Sequence, residues 1–376
     1  MLWLAPISLE HGKGHLMART IVGLDIGTSG VRAAEFSLGR HRKPALRKFV
    51  TLPLPRDALR RGVVVDQAAV AQSLRALWAK GKFSTKAVVI GIANEGVLVR
   101  QMDLDWMPPA DFRKALHYQV AEALPVPVNE ANLDYHLLDE VEVTDEHDGT
   151  VRRVNRILLV AAARDVVDGF VTAAQGAGLR VTRADLLPFA LIRTAASVPA
   201  EHQQAEAIVH IGADTTSVVV HSDGRPRFVR MIPSIGSNTI TKALQDRYDW
   251  SWEEAERSKI ALGMHSAPVG ETPGYEHPAQ QVVTEEAHKL VAEIRATLEF
   301  FISSASGSET LSKVLLSGAG SWLTGLPEHL ADELALPLEW LSPLDAVRVP
   351  RRLRIDGDGP AHLSVPAGLC LGVGAA

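Results

Sequence analysis

Three clusters in this sequence carry the residue types that a phosphate-bearing ligand needs. In the first, Asp25-Ile26-Gly27-Thr28-Ser29-Gly30-Val31-Arg32, two glycines bracket two hydroxyl residues. Gly27 and Gly30 permit positive φ and carry no side chain, so backbone N–H groups can approach an anion closely. Thr28 and Ser29 add hydroxyl donors, and Arg32 adds a positive charge. Asp25 is placed to hold a metal ion, or its water shell, beside that anion. Donors, a cation and a metal-side carboxylate together are what a nucleoside triphosphate requires. The same residues also read as an ordinary Gly/Ser hairpin, and a short glycine motif does not by itself choose between the two. Gly212-Ala213-Asp214-Thr215-Thr216 repeats the design past mid-chain, and Gly318-Ala319-Gly320 follows a late apolar run.

The elements that must position these clusters can be read from apolar patterning. Ile21, Val22, Leu24 and Ile26 form a strand into the first turn, and Val31 to Phe36 returns as a second. ALRKFVTLPL reads as a third strand ended by Pro53 and Pro55. Residues 64–80 then read as a helix capped by Asp66, with Val70, Leu74, Leu77 and Trp78 in one apolar stripe. AVVIGIA (87–93) is a strand covered on both faces. Residues 95–163 form a compact insertion. It has a strand, a helix opened by Pro108-Pro109 and capped by Asp111, and two further strands. A helix over 164–176, a short strand and a helix around 188–196 follow.

At residue 207 the design of the opening restarts: apolar strand, small-residue turn, returning strand, and a third strand after Asp223-Gly224. Two such hairpins, one per half, indicate an internal duplication. Three helices come next, with a Gly/Pro-rich loop over 265–280. The Gly318-Ala319-Gly320 turn then leads from a strand towards a helix, as where such a turn faces a nucleotide. PAGLCLGVG reads as a small-residue helix able to pack closely on a sheet.

The 376 residues exceed one ordinary core, so at least two lobes are expected. A 46% apolar content with mean hydropathy +0.05 is that of a soluble globular chain. No apolar run has the ~18 residues of a membrane span. Residues 1–17 lack the basic start of a signal peptide and read as a disordered extension, with Met17 as an alternative start. The single cysteine, Cys370, excludes an intrachain disulfide and a multi-cysteine metal site. A cytoplasmic protein is expected. A net charge of −5 argues against general nucleic-acid binding. Charge is uneven, however: residues 40–48 are basic, and residues 115–151 carry acids with no Lys or Arg. Each patch is either a solvated face or a docking surface.

The two hairpins, the late Gly-Ala-Gly turn and the AERSK helix resemble the actin/Hsp70/sugar-kinase ATPase fold. GLDIGTSGVRAAE, PPADFRKALHYQVAEALP, IPSIGSNTIT and EIRATLEFF more closely resemble the type IV pilus assembly protein PilM family, relatives of the division protein FtsA. The resemblance runs from about residue 20 onward. It implies an α/β fold of two duplicated lobes around a nucleotide cleft, with a small α+β subdomain inserted in the first. The implied division is 18–94 with 164–203 (first lobe), 95–163 (insertion), 204–235 with 312–376 (base of the second lobe) and 236–311 (its helical part).

The same resemblance implies ATP and Mg2+ as ligands. It makes Asp25, Gly27, Thr28, Ser29, Gly30 and Arg32 the first phosphate loop, and Gly212, Ala213, Asp214 and Thr215 the second. Gly236 and Lys242 add nucleotide contacts, and Glu256 and Lys259, three apart on one helix face, hold the nucleoside. Gly318, Ala319 and Gly320 are the adenosine loop. Asp25 and Asp214 are the catalytic candidates, and Asp25 would hold magnesium through water.

Three departures stand out. Arg32 replaces a usual lysine, and its planar fork differs from a compact ammonium. His210 replaces a usual aspartate, and a neutral imidazole is no substitute for a carboxylate beside hydrated magnesium. Leu187 or its neighbour stands where relatives tend to carry an acid. Asp185 and Asp214 are near enough in sequence to compensate. ATP binding with slow or absent hydrolysis is the expectation.

The implied partner is the short cytoplasmic N-terminal segment of a PilN-like inner-membrane protein, with pilus motor or platform components and self-association as further contacts. The chain would be cytoplasmic, brought to the inner face of the membrane by partners. The competing classes are an FtsA-like division protein, a cytoplasmic type II secretion component and a small-molecule kinase of the same fold. A kinase would need a carboxylate as base towards a substrate hydroxyl.

Overall fold

A computed structural model describes residues 19–39, 43–94, 96–124, 126–144, 150–196, 204–265, 274, 277–304, 310–345, 347–350, 353, 355 and 359–371. The expected extension, most of the Gly/Pro-rich loop and the start of the basic run at 40–42 lie outside these residues.

In chain order the structure begins with β1 (Arg19–Gly27), β2 (Gly30–Leu38) and β3 (Ala45–Pro53), then the short β4 (Leu59–Arg60) and β5 (Val63–Val64). Next come α1 (Gln67–Gly81), β6 (Ala87–Ile92), β7 (Val97–Asp105), α2 (Pro109–Gln119), β8 (Ala131–Thr144) and β9 (Val151–Ala163). The first half closes with α3 (Arg164–Gly176), β10 (Arg180–Leu186) and α4 (Leu187–Ala195). The second half runs β11 (Ala205–Ile211), β12 (Thr215–Ser222), β13 (Arg225–Pro233), α5 (Ser237–Tyr248), α6 (Trp252–Leu262) and α7 (Pro278–Ser304). It ends with β14 (Leu311–Ser317), α8 (Leu326–Leu334), β15 (Leu338–Trp340) and α9 (Gly359–Leu371).

The duplication is explicit in the sheets. One has the order β10-β6-β1-β2-β3, the other β13-β12-β11-β14-β15. In each, three antiparallel strands form a meander and two further strands extend it in parallel from the first. Strands buried on both faces must be apolar throughout. Val22, Leu24, Val88 and Ile90 are fully buried in the first sheet, as are Val209, Val218 and Val220 in the second. A third sheet, β7-β9-β8, carries α2 and its own small core around Phe112, Ile157 and Leu159.

Local signals held in detail. Asp66 caps α1 by accepting from the Ala69 N–H, and Ser251 with Glu254 closes a capping box at the start of α6. Asp223 and Gly224 both adopt positive φ in the turn before β13. Other signals need correction. Asp111 does not cap α2; the helix starts on Pro109 and Asp111 lies in its first turn. Helix α7 begins at Pro278, inside the stretch read as loop.

The terminal helix also moves. The division implied by the resemblance has it in the base of the second lobe, but α9 packs mainly on α4, β1, β2 and β6. The reason is close approach. A Cβ on Gly23 of β1 would fall 2.1 Å from the Pro366 carbonyl oxygen, and one on Gly368 would fall 1.9 Å from that of Ala190. Small residues let α9 settle directly on the sheet and on α4, and these two helices fill the space between the sheets. Leu363, Val365 and Leu369 share one core with Leu24, Ile90, Ile208 and Val219.

Candidate nucleotide site

The first hairpin closes in the tightest register, with Gly27 opposite Gly30. That register makes Asp25 and Arg32 direct cross-strand partners. Their side chains form an ion pair of 3.2 Å between Arg32 Nη1 and Asp25 Oδ2. The guanidinium is held further by three more bonds. Nη1 donates to the Gly30 carbonyl (3.3 Å), Nη2 to Ser29 Oγ (2.9 Å), and Nε to Nδ1 of His362 on α9 (2.9 Å). Four of its five N–H groups are thereby engaged. The glycines differ from expectation: neither Gly27 nor Gly30 has positive φ. Gly30 is small because a Cβ would meet the Leu52 carbonyl at 2.6 Å, and Gly27 because a Cβ would lie 3.2 Å from Arg32 Nη1.

The second hairpin occupies the equivalent place. His210 is the cross-strand partner of Ser217 and the parallel neighbour of Ser317, and its Nδ1 lies 3.1 Å from Ser317 Oγ. Burial first, then the Arg32 guanidinium, pushes the His210 imidazole down to about 3, so it is neutral near pH 7. Asp214 accepts from Asn238 Nδ2 at 2.7 Å. The turn is fixed to the start of α5, where Ser237 N–H donates to Gly212 O and Asn238 N–H to Ala213 O. A Cβ on Gly236 would sit 2.4 Å from Ala213 O, so this glycine lets the helix start lie against the turn.

Gly318 has φ +87°, a conformation glycine takes readily, and a Cβ there would meet Ile211 O at 2.4 Å. The turn continues as a 3-10 segment over 319–322, and α8 starts only at Leu326.

On α6, Lys259 Nζ bonds Glu256 Oε2 at 2.7 Å and Thr241 Oγ1 at 3.0 Å, and Thr241 Oγ1 donates to the same carboxylate at 2.6 Å. Burial lowers the Lys259 ammonium, while Glu256 opposes the shift.

These parts enclose a cleft of two connected cavities. A narrow one of about 90 Å³ lies between the hairpins, with Asp25, Leu187, His210 and Asp214 in its wall. A wider one of about 480 Å³ lies against α6, with Glu256, Lys259 and Gly320 in its wall. Ser29, Arg32, Ala213, Ala319 and His362 line both. The wider volume is within the range of small-ligand pockets.

Two nominated residues fall away. Lys242 is exposed on α5, pairs with Asp246 at 3.1 Å and lines neither cavity. Asp185 is fully buried and bound by Arg183 and Arg193, the latter at 2.6 Å, so it cannot replace a missing cleft acid. Conversely, His362, Asn238 and Ser317 were not nominated. A lone histidine beside an apolar, small-residue run was the available signal for His362. Its meaning depended on knowing where α9 docks.

Residues 23–371 match the family model described as type IV pilus assembly protein PilM. The chain belongs to that family. A solved structure, a PilM-PilN type IV pilus biogenesis complex, is similar with a TM-score of 0.79 and 26% identity, covering 94% of this chain and 99% of that one. The cell division protein FtsA of Pseudomonas aeruginosa is 26% identical over 91% of this chain and 88% of its own length. FtsA of Bacillus subtilis is 25% identical over 64% of this chain, which spans 58% of that relative. MreB5 of Spiroplasma citri bound to ADP shares the fold at TM-score 0.50 and 12% identity. The fold is that of the actin-like ATPases, with two mixed sheets as duplicated lobes. Among the described residues no helix is long and apolar enough to cross a membrane.

Proposed function

We propose that this PilM family member is a nucleotide-binding scaffold of a type IV pilus assembly machine. In this reading ATP with magnesium occupies the cleft, and its binding sets how the cytoplasmic N-terminal segment of a PilN-like membrane protein docks. The observation that carries it is the convergence of three glycine-bearing turns, at Gly27, Gly212 and Gly318, on one cleft beside a fixed guanidinium. Backbone N–H groups brought together at such turns offer an anion a concave set of donors. The Ser29 hydroxyl and Arg32 would hold phosphates, Glu256 and Lys259 would hold the nucleoside, and the turn at 318–320 would border it. Bound magnesium would supply charge neutralisation of the phosphates. Asp25 and Asp214 suit it, because magnesium needs only one or two carboxylates in addition to phosphate and water. Among the described residues no cluster of three or more such ligands exists.

Weak hydrolysis follows from the same set. Asp25, Asp214 and Glu256, the carboxylates lining the cleft among the described residues, are engaged by Arg32, Asn238 and Lys259 respectively. None is left as a ready base, and the His210 imidazole, pushed down to about 3 by burial, is a weak proton acceptor near pH 7. This also disfavours a small-molecule kinase. The localisation we propose is the inner face of the membrane, reached through the partner.

The test is a calorimetric titration with ATP and magnesium, followed by phosphate release from the same sample. Binding with little release is expected. Rapid release abolished by Asp25→Ala would replace the scaffold reading with an ATPase, and no binding would leave partner docking as the whole function.

A further inference from the structure

The wider cavity has two exposed apolar side chains in its wall, on different elements. Ile260 of α6 is 64% exposed, and Trp322 of the 3-10 segment is 47% exposed. Trp322 is also braced. Its ring stacks on Trp340 of β15, with centroids 4.4 Å apart and an interplanar angle of 23°. One face of the indole is therefore occupied by a second indole that is itself 41% exposed. Two tryptophans in a row at a cavity mouth form a rigid flat surface, because an aromatic side chain has few rotatable bonds to immobilise. The Glu256–Lys259 pair is in the same wall on α6, Lys259 being the residue before Ile260. The cavity is continuous with the narrow space between the hairpins through Ser29, Arg32 and His362.

We propose that Trp322, braced by Trp340, is the platform on which the base of a bound nucleotide stacks. The inference rests on the nucleotide-binding reading above and deepens it. It makes the base, and not the phosphates alone, a determinant of binding. A planar heterocycle laid on Trp322 would cover apolar surface that now faces water, with Ile260 also in the wall, while the ribose meets Glu256 and Lys259. Stacking of this kind tolerates any base, since each has a π-face, and favours purines for their larger area.

The test compares ATP with inorganic tripolyphosphate, which has the phosphates without the base. Calorimetry is run on the full chain and on Trp322→Ala, Trp322→Phe and Trp340→Ala. Trp322→Ala is expected to weaken ATP binding about 5- to 150-fold and to leave tripolyphosphate unchanged. Trp322→Phe should keep most of the affinity, yet lose most of the quenching of tryptophan emission that ATP causes in the parent protein. Trp340→Ala should weaken ATP binding less than Trp322→Ala. If the parent binds ATP and Trp322→Ala binds it equally well, the platform is refuted and the nucleotide site stands. Equal loss of ATP and tripolyphosphate would make Trp322 a structural residue, which also refutes the platform. A parent that binds neither ligand overturns both readings together.

Discussion

In the first lobe, the strand position two residues before the turn glycine is Asp25, and its cross-strand partner is Arg32. In the second lobe the equivalent position is His210, with Ser217 opposite. The parallel neighbours differ too, Gly91 in the first sheet and Ser317 in the second. One backbone plan thus carries an ion pair on one side of the cleft and a neutral, hydroxyl-bound imidazole on the other. Strand order and register depend on apolar patterning and turn geometry, which both halves share. The few polar positions at the strand ends are not needed for folding, so they are where two copies of one plan can diverge in chemistry.

This contrast can be broken most directly at the charged side. Arg32→Ala removes the cation and leaves Asp25 unpaired in a site where both side chains are little exposed. We expect ATP affinity to fall by about 2–3 kcal/mol, on the order of 100-fold, by calorimetry. Arg32→Lys should fall between the two, because an ammonium cannot meet Asp25, Ser29 and His362 in the geometry of a planar fork. If Arg32→Ala binds ATP normally, the two hairpins are equally passive.

The neutral side is sharpened by His210→Asp, which makes the two strand ends alike. Magnesium-dependent phosphate release should then rise roughly ten- to a hundredfold, as a positioned carboxylate can supply. An unchanged rate, with ATP still bound, would mean that the imidazole is not what limits hydrolysis.

A third measurement is the pH dependence of stability. His210 is held at about 3 by burial, and His221 at about 4 by burial against the opposing pull of Asp223. Both titrate near 6.5 when unfolded. Between these values and 6.5 the unfolded chain binds more protons, so stability is fully present above pH 6.5 and declines as pH falls towards 4. Urea denaturation from pH 7.5 to 4.5 should show that decline, and His221→Leu should flatten it. The smallest expected effect is at Lys242. Its replacement by Ala should change ATP affinity by less than about 0.5 kcal/mol, because its ammonium is paired with Asp246 away from the cleft.

Much of this arrangement was legible in the residues. The hairpin ending at Gly27 and Gly30 and the restart near residue 207 depend on local periodicity and spacing, and local rules carry them. Glu256 and Lys259 are marked only by the family resemblance, since alone they read as a solvated helix face. What escaped depends on contacts between distant segments. Lys242 follows a glycine that does abut the turn, and only helical phase turns it outward. Asp185 sits beside the expected acid position but is drawn into a buried pair of arginines. His362 is separated from Arg32 by nearly the whole chain, and no local pattern could join them.

The docking of α9 on β1 also has a consequence in time. The strand β1 leaves the ribosome long before the helix that covers it, because nearly all the described elements lie between them in the chain. At ordinary rates of synthesis the two are separated by tens of seconds. During that interval the face of β1 and β2 that carries Gly23 and Ala34 lacks the cover that α9 gives it, and the first lobe cannot reach its final packing by itself. Until α9 arrives, that face is exposed apolar surface of the kind that makes a nascent chain prone to aggregate.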